Sequence, residues 1–272
     1  MRFRVLLALL AVVSLLVPSS AQQTTPVTPE TGPPSRRDPQ AVAILQAALT
    51  ALIGGVRRVP TSISANGTYS QISPSTSVYQ VRLMALGFDK LRWETDLPTG
   101  TVISIIRGRG GWTQDADGTT VLSVADTVGQ GAENLLPLAV AKWVTSPNVL
   151  VTLVATESSA TGNVYHLSLA EAHDPAASLA SETIFRSATH CELYIDQQSN
   201  LPVSLDYNEY LSNWKHAVPV HLIFSDYRPV NGVHFPFKLS RYQASELVSE
   251  TQLNSVVLNA PLSDDLFWVN QP

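Results

Sequence analysis

Cysteine is nearly missing from this chain: one, Cys191, stands among 272 residues. A single thiol cannot close an internal disulfide, so the fold rests on its core rather than on covalent staples. In Cys191-Glu192-Leu193-Tyr194-Ile195 a period of two puts Cys191 with Leu193 and Ile195 on an apolar strand face. There it reads as a buried, inert thiol rather than a nucleophile. Charge is sparse as well. Asp, Glu, Lys and Arg make up 14% of the residues and sum to −5 without runs, which argues against nucleic acid or an anionic membrane surface as partner.

Chemical signatures are also missing. There is no G-x-S-x-G, no G-x-x-x-x-G-K, no H-E-x-x-H and no C-x-x-C, the spacings that make nucleophile elbows, phosphate loops and zinc sites. The Gly108-Arg109-Gly110-Gly111 cluster has no helix after it and reads as a hairpin. Asn66-Gly67-Thr68 fits a glycosylation sequon but is read as turn chemistry. The six histidines are scattered singly; His190, His221 and His234 sit on polar faces of neighbouring segments and read as surface residues, not as a metal site. No catalytic residue, metal or cofactor is expected. A hydrolase would need a Ser, a His and a carboxylate within hydrogen-bond reach in a cleft.

Long hydrophobic runs are absent too. Val5 to Val17 is apolar apart from Ser14, shorter than the roughly 20 residues a spanning helix needs. It follows Arg2 and Arg4 and precedes Pro18-Ser19-Ser20-Ala21, the layout of a cleavable signal peptide over residues 1–21. No cysteine lies near the cleavage point, so no lipid anchor is expected. Residues 22–37, with Pro26, Pro29, Pro33 and Pro34, cannot bury enough apolar surface to order themselves and form a tether. Residues 38–272 then make a single domain. The expected protein is exported, periplasmic or secreted, soluble after cleavage, and without a transmembrane segment.

What is present is strand after strand, with two helices. Asp38 is a good N-cap and Pro39 suits a first helical turn. Val42, Leu45, Leu49, Leu52 and Ile53 recur at helical spacing up to Gly54-Gly55. A second helix is expected within Ala132 to Val144, starting near Leu136, its stripe of Leu135, Leu136, Leu138, Ala139 and Trp143 lying across a curved sheet. Glu171 to Ser187 reads as a loop with one helical turn. About eleven short runs alternate apolar and polar, as in Tyr79, Val81, Leu83 and Ala85 against Gln80, Arg82 and Met84. Pro236, inside the run Val233 to Tyr242, suggests an edge strand or a bulge. This is a mainly β protein, an incomplete antiparallel barrel with helices over the concave face.

Several phrases resemble a known family. Leu91-Arg92-Trp93-Glu94 and Gly111-Trp112-Thr113-Gln114 are similar to the opening of bacterial outer-membrane lipoprotein-sorting proteins, periplasmic carriers of the LolA/LolB type. Leu193-Tyr194-Ile195-Asp196, Leu201-Pro202, the stretch from Phe224 to Pro236 and Pro261 to Phe267 extend the resemblance over the whole mature chain. The resemblance implies a half-barrel of about eleven strands whose helices close a hydrophobic cavity for acyl chains. The carriers' lid-controlling arginine would fall near Gly87 here. The resulting expectation is a non-catalytic carrier of a lipid, a lipoprotein acyl chain or another apolar ligand, with a possible envelope-protein or lipoprotein partner. Its lining would include Leu83, Trp93, Ile105, Leu153, Leu193, Leu205 and Phe224. A cavity of roughly several hundred Å³ along these residues would support binding. The rival reading is an envelope interaction module presenting a sheet edge near Pro236.

Overall fold

The computed structural model describes residues 37–268, apart from 55, 57, 74, 109, 123–135, 160–161, 173–184 and 212–215. The expected signal segment 1–21 and all of the tether except Arg37 lie outside the described residues. Thirteen strands form one antiparallel sheet. One wing holds β1 (Ser62–Gln71), β2 (Ser77–Leu86), β3 (Lys90–Leu97), β4 (Gly100–Arg107), β5 (Gly110–Asp115) and β6 (Gly118–Val121). The other holds β7 (Val149–Ser159), β8 (Gly162–Glu171), β9 (Cys191–Asp196), β10 (Pro202–Leu211), β11 (His216–Val230), β12 (Val233–Gln243) and β13 (Glu246–Leu258). The spatial order is β6-β5-β4-β3-β2-β1-β13-β12-β11-β10-β9-β8-β7. The chain therefore starts at the centre, runs out to one edge, crosses to the other edge and returns beside its own first strand.

The incomplete antiparallel architecture is as the sequence implied, but the sheet is open and has thirteen strands rather than about eleven. β6 is four exposed residues long, too short to show a period. Pro236 also differs from expectation, because β12 lies between β11 and β13 and is no edge. A proline is tolerated there because the β12–β13 ladder begins only at Lys238, so the missing N–H interrupts nothing on that side. Asn66-Gly67 is not a turn either. It sits within β1 at a register shift against β13, where a Cβ on Gly67 would stand 2.2 Å from the Gln252 carbonyl oxygen.

Helix α1 (Pro39–Ile53) forms as its sequence dictates. Asp38 accepts from the Gln40 N–H at 2.9 Å, Pro39 opens the first turn, and Gly54 closes the helix with φ +57°. A Cβ on Gly54 would come within 2.2 Å of the Gly232 carbonyl oxygen, so the helix end rests on the Asn231-Gly232 turn. Both turn residues have positive φ, as a two-residue hairpin requires. Helix α2 (Leu136–Thr145) begins where Pro137 suits its first turn. Its C-terminal carbonyls are capped by the Arg37 guanidinium, which donates to Trp143 O at 2.8 Å, Val144 O at 2.9 Å and also Ser146 O. A third helical segment spans 185–189.

The helices fill the concave side of the second wing. Leu45, Leu52, Val140 and Trp143 pack on Leu167, Leu193, Leu205, Leu222 and Phe224. A second cluster joins Ile63, Leu83, Ala85 and Leu91 of the first wing to Phe235 and Leu253, with Leu138 of α2 reaching into it. Each fully buried Leu or Phe contributes about 1.5–3 kcal/mol from removal of apolar surface from water. On the opposite face a C-terminal 3₁₀ turn, Asp264–Phe267, lies against β3 and β4. Phe267 is fully buried, and the Asp264 carboxylate bridges Lys90 and Arg107. Hydrogen bonds from those two cations hold Asp264 down at about 2. Arg92 adds a bond to Leu266 O at 2.9 Å, and the Arg107 guanidinium stacks 4.1 Å over Trp268.

Candidate functional site

Where α2 bridges the wings, a cleft of about 150 Å³ remains. Its floor is apolar: Leu91 and Ile106 from the first wing, Leu138 and Trp143 from α2, and Leu169, Leu205 and Phe185 from the second. Its rim carries Lys142, Glu171 and His190, with exposed Phe88 beside them, while Lys90 also borders it with its ammonium turned to Asp264 on the other face. Lys142 and Glu171 pair directly, tying the outer side of α2 to the end of β8. An apolar floor under a charged rim suits an amphiphile. The space is about half the ~300 Å³ at which small-molecule sites begin, so with α2 in place only part of an acyl chain fits.

The structure separates the residues nominated from the sequence. The strand registers put Leu83, Trp93, Leu153, Leu193, Leu205 and Phe224 on one face of the sheet, the face under the helices. Ile105 stands on the other, paired with Arg92 and Trp112. Leu193, Leu205 and Phe224, with Leu153 at their margin, share the core beneath the helices, whereas Leu83 and Trp93 belong to the first-wing cluster. Only Leu205 of the seven lines the cleft. Leu83, Ile105, Leu193, Leu205 and Phe224 are each 3% exposed or less, so they fill the interior where a wide cavity was expected. The rim residues were missed because Lys142 looks like the polar back of an amphipathic helix and Glu171 ends a strand. Trp143 and Leu138 were visible as the apolar stripe of α2.

The histidines do not assemble as a metal site. His234 bonds the Ala51 carbonyl at the end of α1 at 2.9 Å, far from the partners of His190 and His221 described next. Among the described residues no group of three His, Cys, Asp or Glu is arranged to hold a metal ion. The outer face of β7–β11 instead carries linked pairs. His166 contacts Glu157 at 2.6 Å and Glu192 at 3.0 Å, and His190 contacts Glu192 at 3.1 Å. His221 pairs with Asp206. Ser168 lies 2.9 Å from His190 Nε2, but Glu192 approaches that same nitrogen. A relay needs the hydroxyl and the carboxylate on opposite ring nitrogens, so this trio lacks hydrolase geometry. Cys191 is buried and its thiol is pushed well up by desolvation, in keeping with an inert role.

These features define a class of architecture: an open antiparallel sheet with its two ends of chain paired at the centre and helices laid in the concavity. It is the LolA-like fold. The chain superposes on a LolA superfamily protein from Nitrosomonas europaea with a TM-score of 0.56 at 16% identity, over 84% of this chain and 97% of that one. It matches a putative outer membrane lipoprotein-sorting protein domain from Vibrio parahaemolyticus with a TM-score of 0.54 at 13% identity, over 84% and 96%. At these identities the likeness establishes the fold alone. No protein-family model matches the sequence, and no curated protein matches it by sequence.

Proposed function

We propose that this protein is an exported, non-catalytic carrier of an acyl-chain ligand, which it holds between α2 and the concave sheet. The observation that carries the reading is the cleft itself, apolar on its floor and charged at its rim, where α2 meets both wings. The apolar end of the ligand enters along Leu138, Trp143 and Leu205, and its polar end stays near Lys142 and Glu171. Full occupancy requires α2 to lift away from the Arg37 cap, the Lys142–Glu171 pair, its packing against α1 and its buried apolar residues. Each CH₂ transferred from water contributes about 0.8 kcal/mol, so a chain of ordinary length compensates for lost helix packing. The fold shared with lipoprotein-sorting domains supports the reading, as does the signal-like N-terminus.

The test is native mass spectrometry and lipid extraction on protein recovered from the compartment to which its own leader directs it. Acyl lipid retained at up to one per chain is the expected result. Protein that is repeatedly lipid-free, and that fails to take up the uncharged dye N-phenyl-1-naphthylamine, overturns the carrier reading. The rival module reading loses its proposed surface, since the strand carrying Pro236 lies inside the sheet.

A further inference from the structure

The outer face of the second wing carries titratable groups of which only His190 borders the cleft. Glu157 comes from β7, His166 and Ser168 from β8, Glu192 and Tyr194 from β9, Asp206 from β10 and His221 from β11, while His190 immediately precedes β9. Tyr194 stacks on His166 with ring centroids 4.5 Å apart, and the Tyr242 ring of β12 lies 6.0 Å from His221. Four ion pairs that lace β7 to β11 use a histidine as the cation, beside the permanent pairs Arg228–Asp226, Lys238–Glu250 and Arg241–Glu209 elsewhere in the same wing. The corresponding face of the first wing is pinned differently, by Arg82–Glu94, Arg92–Glu94, Lys90–Asp264 and Arg107–Asp264. Those cations keep their charge throughout the physiological range, whereas imidazoles do not.

The lacing is sheltered: side-chain exposure is 15% at His166, 8% at His190 and 14% at Glu192. Burial alone would pull His166 down, but the hydrogen bonds its ring donates to Glu192 and Glu157 outweigh it and hold the ring above 6.5. Burial raises Glu192, and the bonds from His166 and His190 more than reverse this, holding it below 4.5. A raised histidine stabilises fully below its unfolded value and loses that contribution as pH rises through the folded value. A lowered carboxylate loses its contribution only as pH falls below 4.5. The His166–Glu192 contact therefore contributes fully between about pH 4.5 and 6.5 and is lost as pH rises through the raised His166 value, beyond which Glu192 is a sheltered anion beside a neutral His166 ring. β8 and the start of β9 also supply Leu169, His190 and Cys191 to the cleft wall.

We propose that the histidine–carboxylate lacing makes the second wing a pH-responsive wall of the cleft, firm at mildly acidic pH and loosened above neutrality, so that ligand retention weakens as pH rises. The cleft half of this proposal rests on the carrier reading; the response of the wing does not. The test measures thermal unfolding of the mature chain and its affinity for N-phenyl-1-naphthylamine at about pH 6 and about pH 8, which bracket histidine titration. Wild type is expected to lose about 2–4 °C in Tm at the higher pH and to bind the dye roughly threefold or more weakly, equivalent to about half a pK unit of differential interaction. His166→Gln is expected to show neither change. Glu157→Gln, at the more exposed end of the lacing, is expected to fold and to move both transitions to lower pH. A Tm that does not fall in wild type, or that falls equally in His166→Gln, overturns the proposal. Dye affinity independent of pH alongside the expected Tm response overturns the link to the cleft. Dye that binds at neither pH overturns the carrier reading and that link together, and leaves the Tm response standing by itself.

Discussion

The two wings of the sheet solve the same problem unequally. The second wing lies under two helices and has a saturated core: Leu167, Leu193 and Ile195 are fully buried. The first wing tapers from ten-residue strands to a four-residue edge, and Trp93, Val102 and Ser104 on its concave face stay half-buried. Their outer faces differ too: lysine and arginine fasten the first, whereas histidine pairs lace β7 to β11 of the second, with Lys238–Glu250 holding β12 to β13. Cover and fastening thus run in opposite senses. The densely packed wing carries the histidine contacts, and the thinly packed wing carries lysine and arginine contacts together with the C-terminal strap.

Core truncation puts the comparison under the heaviest load. Leu193→Ala, in the middle of the helix-covered wing, is expected to cost about 3–5 kcal/mol in urea unfolding. Trp93→Ala should cost less, about 1–3 kcal/mol, although it removes the larger side chain, its bond to Thr95 at 2.9 Å and its edge contact with Tyr69. Equal losses would break the distinction. Next, Gly54→Ala combines positive φ with a close approach to Gly232, and should cost about 1–3 kcal/mol by the same measurement. A cost near zero would show that the end of α1 is free to move off the β11–β12 turn. Arg37→Ala uncaps α2 and should cost about 1 kcal/mol; dye uptake should quicken if α2 is the part that lifts. The smallest effect concerns acid. Asp264, held down at about 2, keeps its pairs with Lys90 and Arg107 until pH falls well below 4. A carboxyl-carbon NMR titration should therefore show the strap intact at pH values of about 4, where unperturbed carboxylates have begun to protonate.

Much of the fold could be read in the chain because its signals were local. Asp38-Pro39 and Gly54 bracket α1 by cap chemistry, and Tyr79 to Ala85 alternate by the pleat. Asn231-Gly232 marks a tight turn. These require nothing from distant residues. The errors arose where a distant partner decides. Asn66-Gly67 looks like a turn until β13 is placed beside it, and Pro236 looks like an edge until β13 is placed on the far side of β12, with a ladder that begins only at Lys238. Ile105 and Ile106 are both buried, one beneath α2's side of the sheet and one beneath the C-terminal strap, so hydrophobicity alone could not say which faces inward. The candidate site was less legible. The nominated leucines and phenylalanine are apolar for the same reason whether they line a space or fill one, and the cleft is completed by Lys142 and Glu171, which meet only through tertiary packing.

The pairing of β1 with β13 also governs how the molecule can be made. Thr61 donates to Asn259 at 2.9 Å across 198 residues, and the ladder beside that bond is the seam of the whole sheet. No nascent fragment lacking the last strand can close it, and long-range pairing of this kind is slow because loop entropy must be overcome before any contact rewards it. Synthesis therefore runs ahead of folding. Closure of the sheet thus waits for its final strand, which acts as the timer.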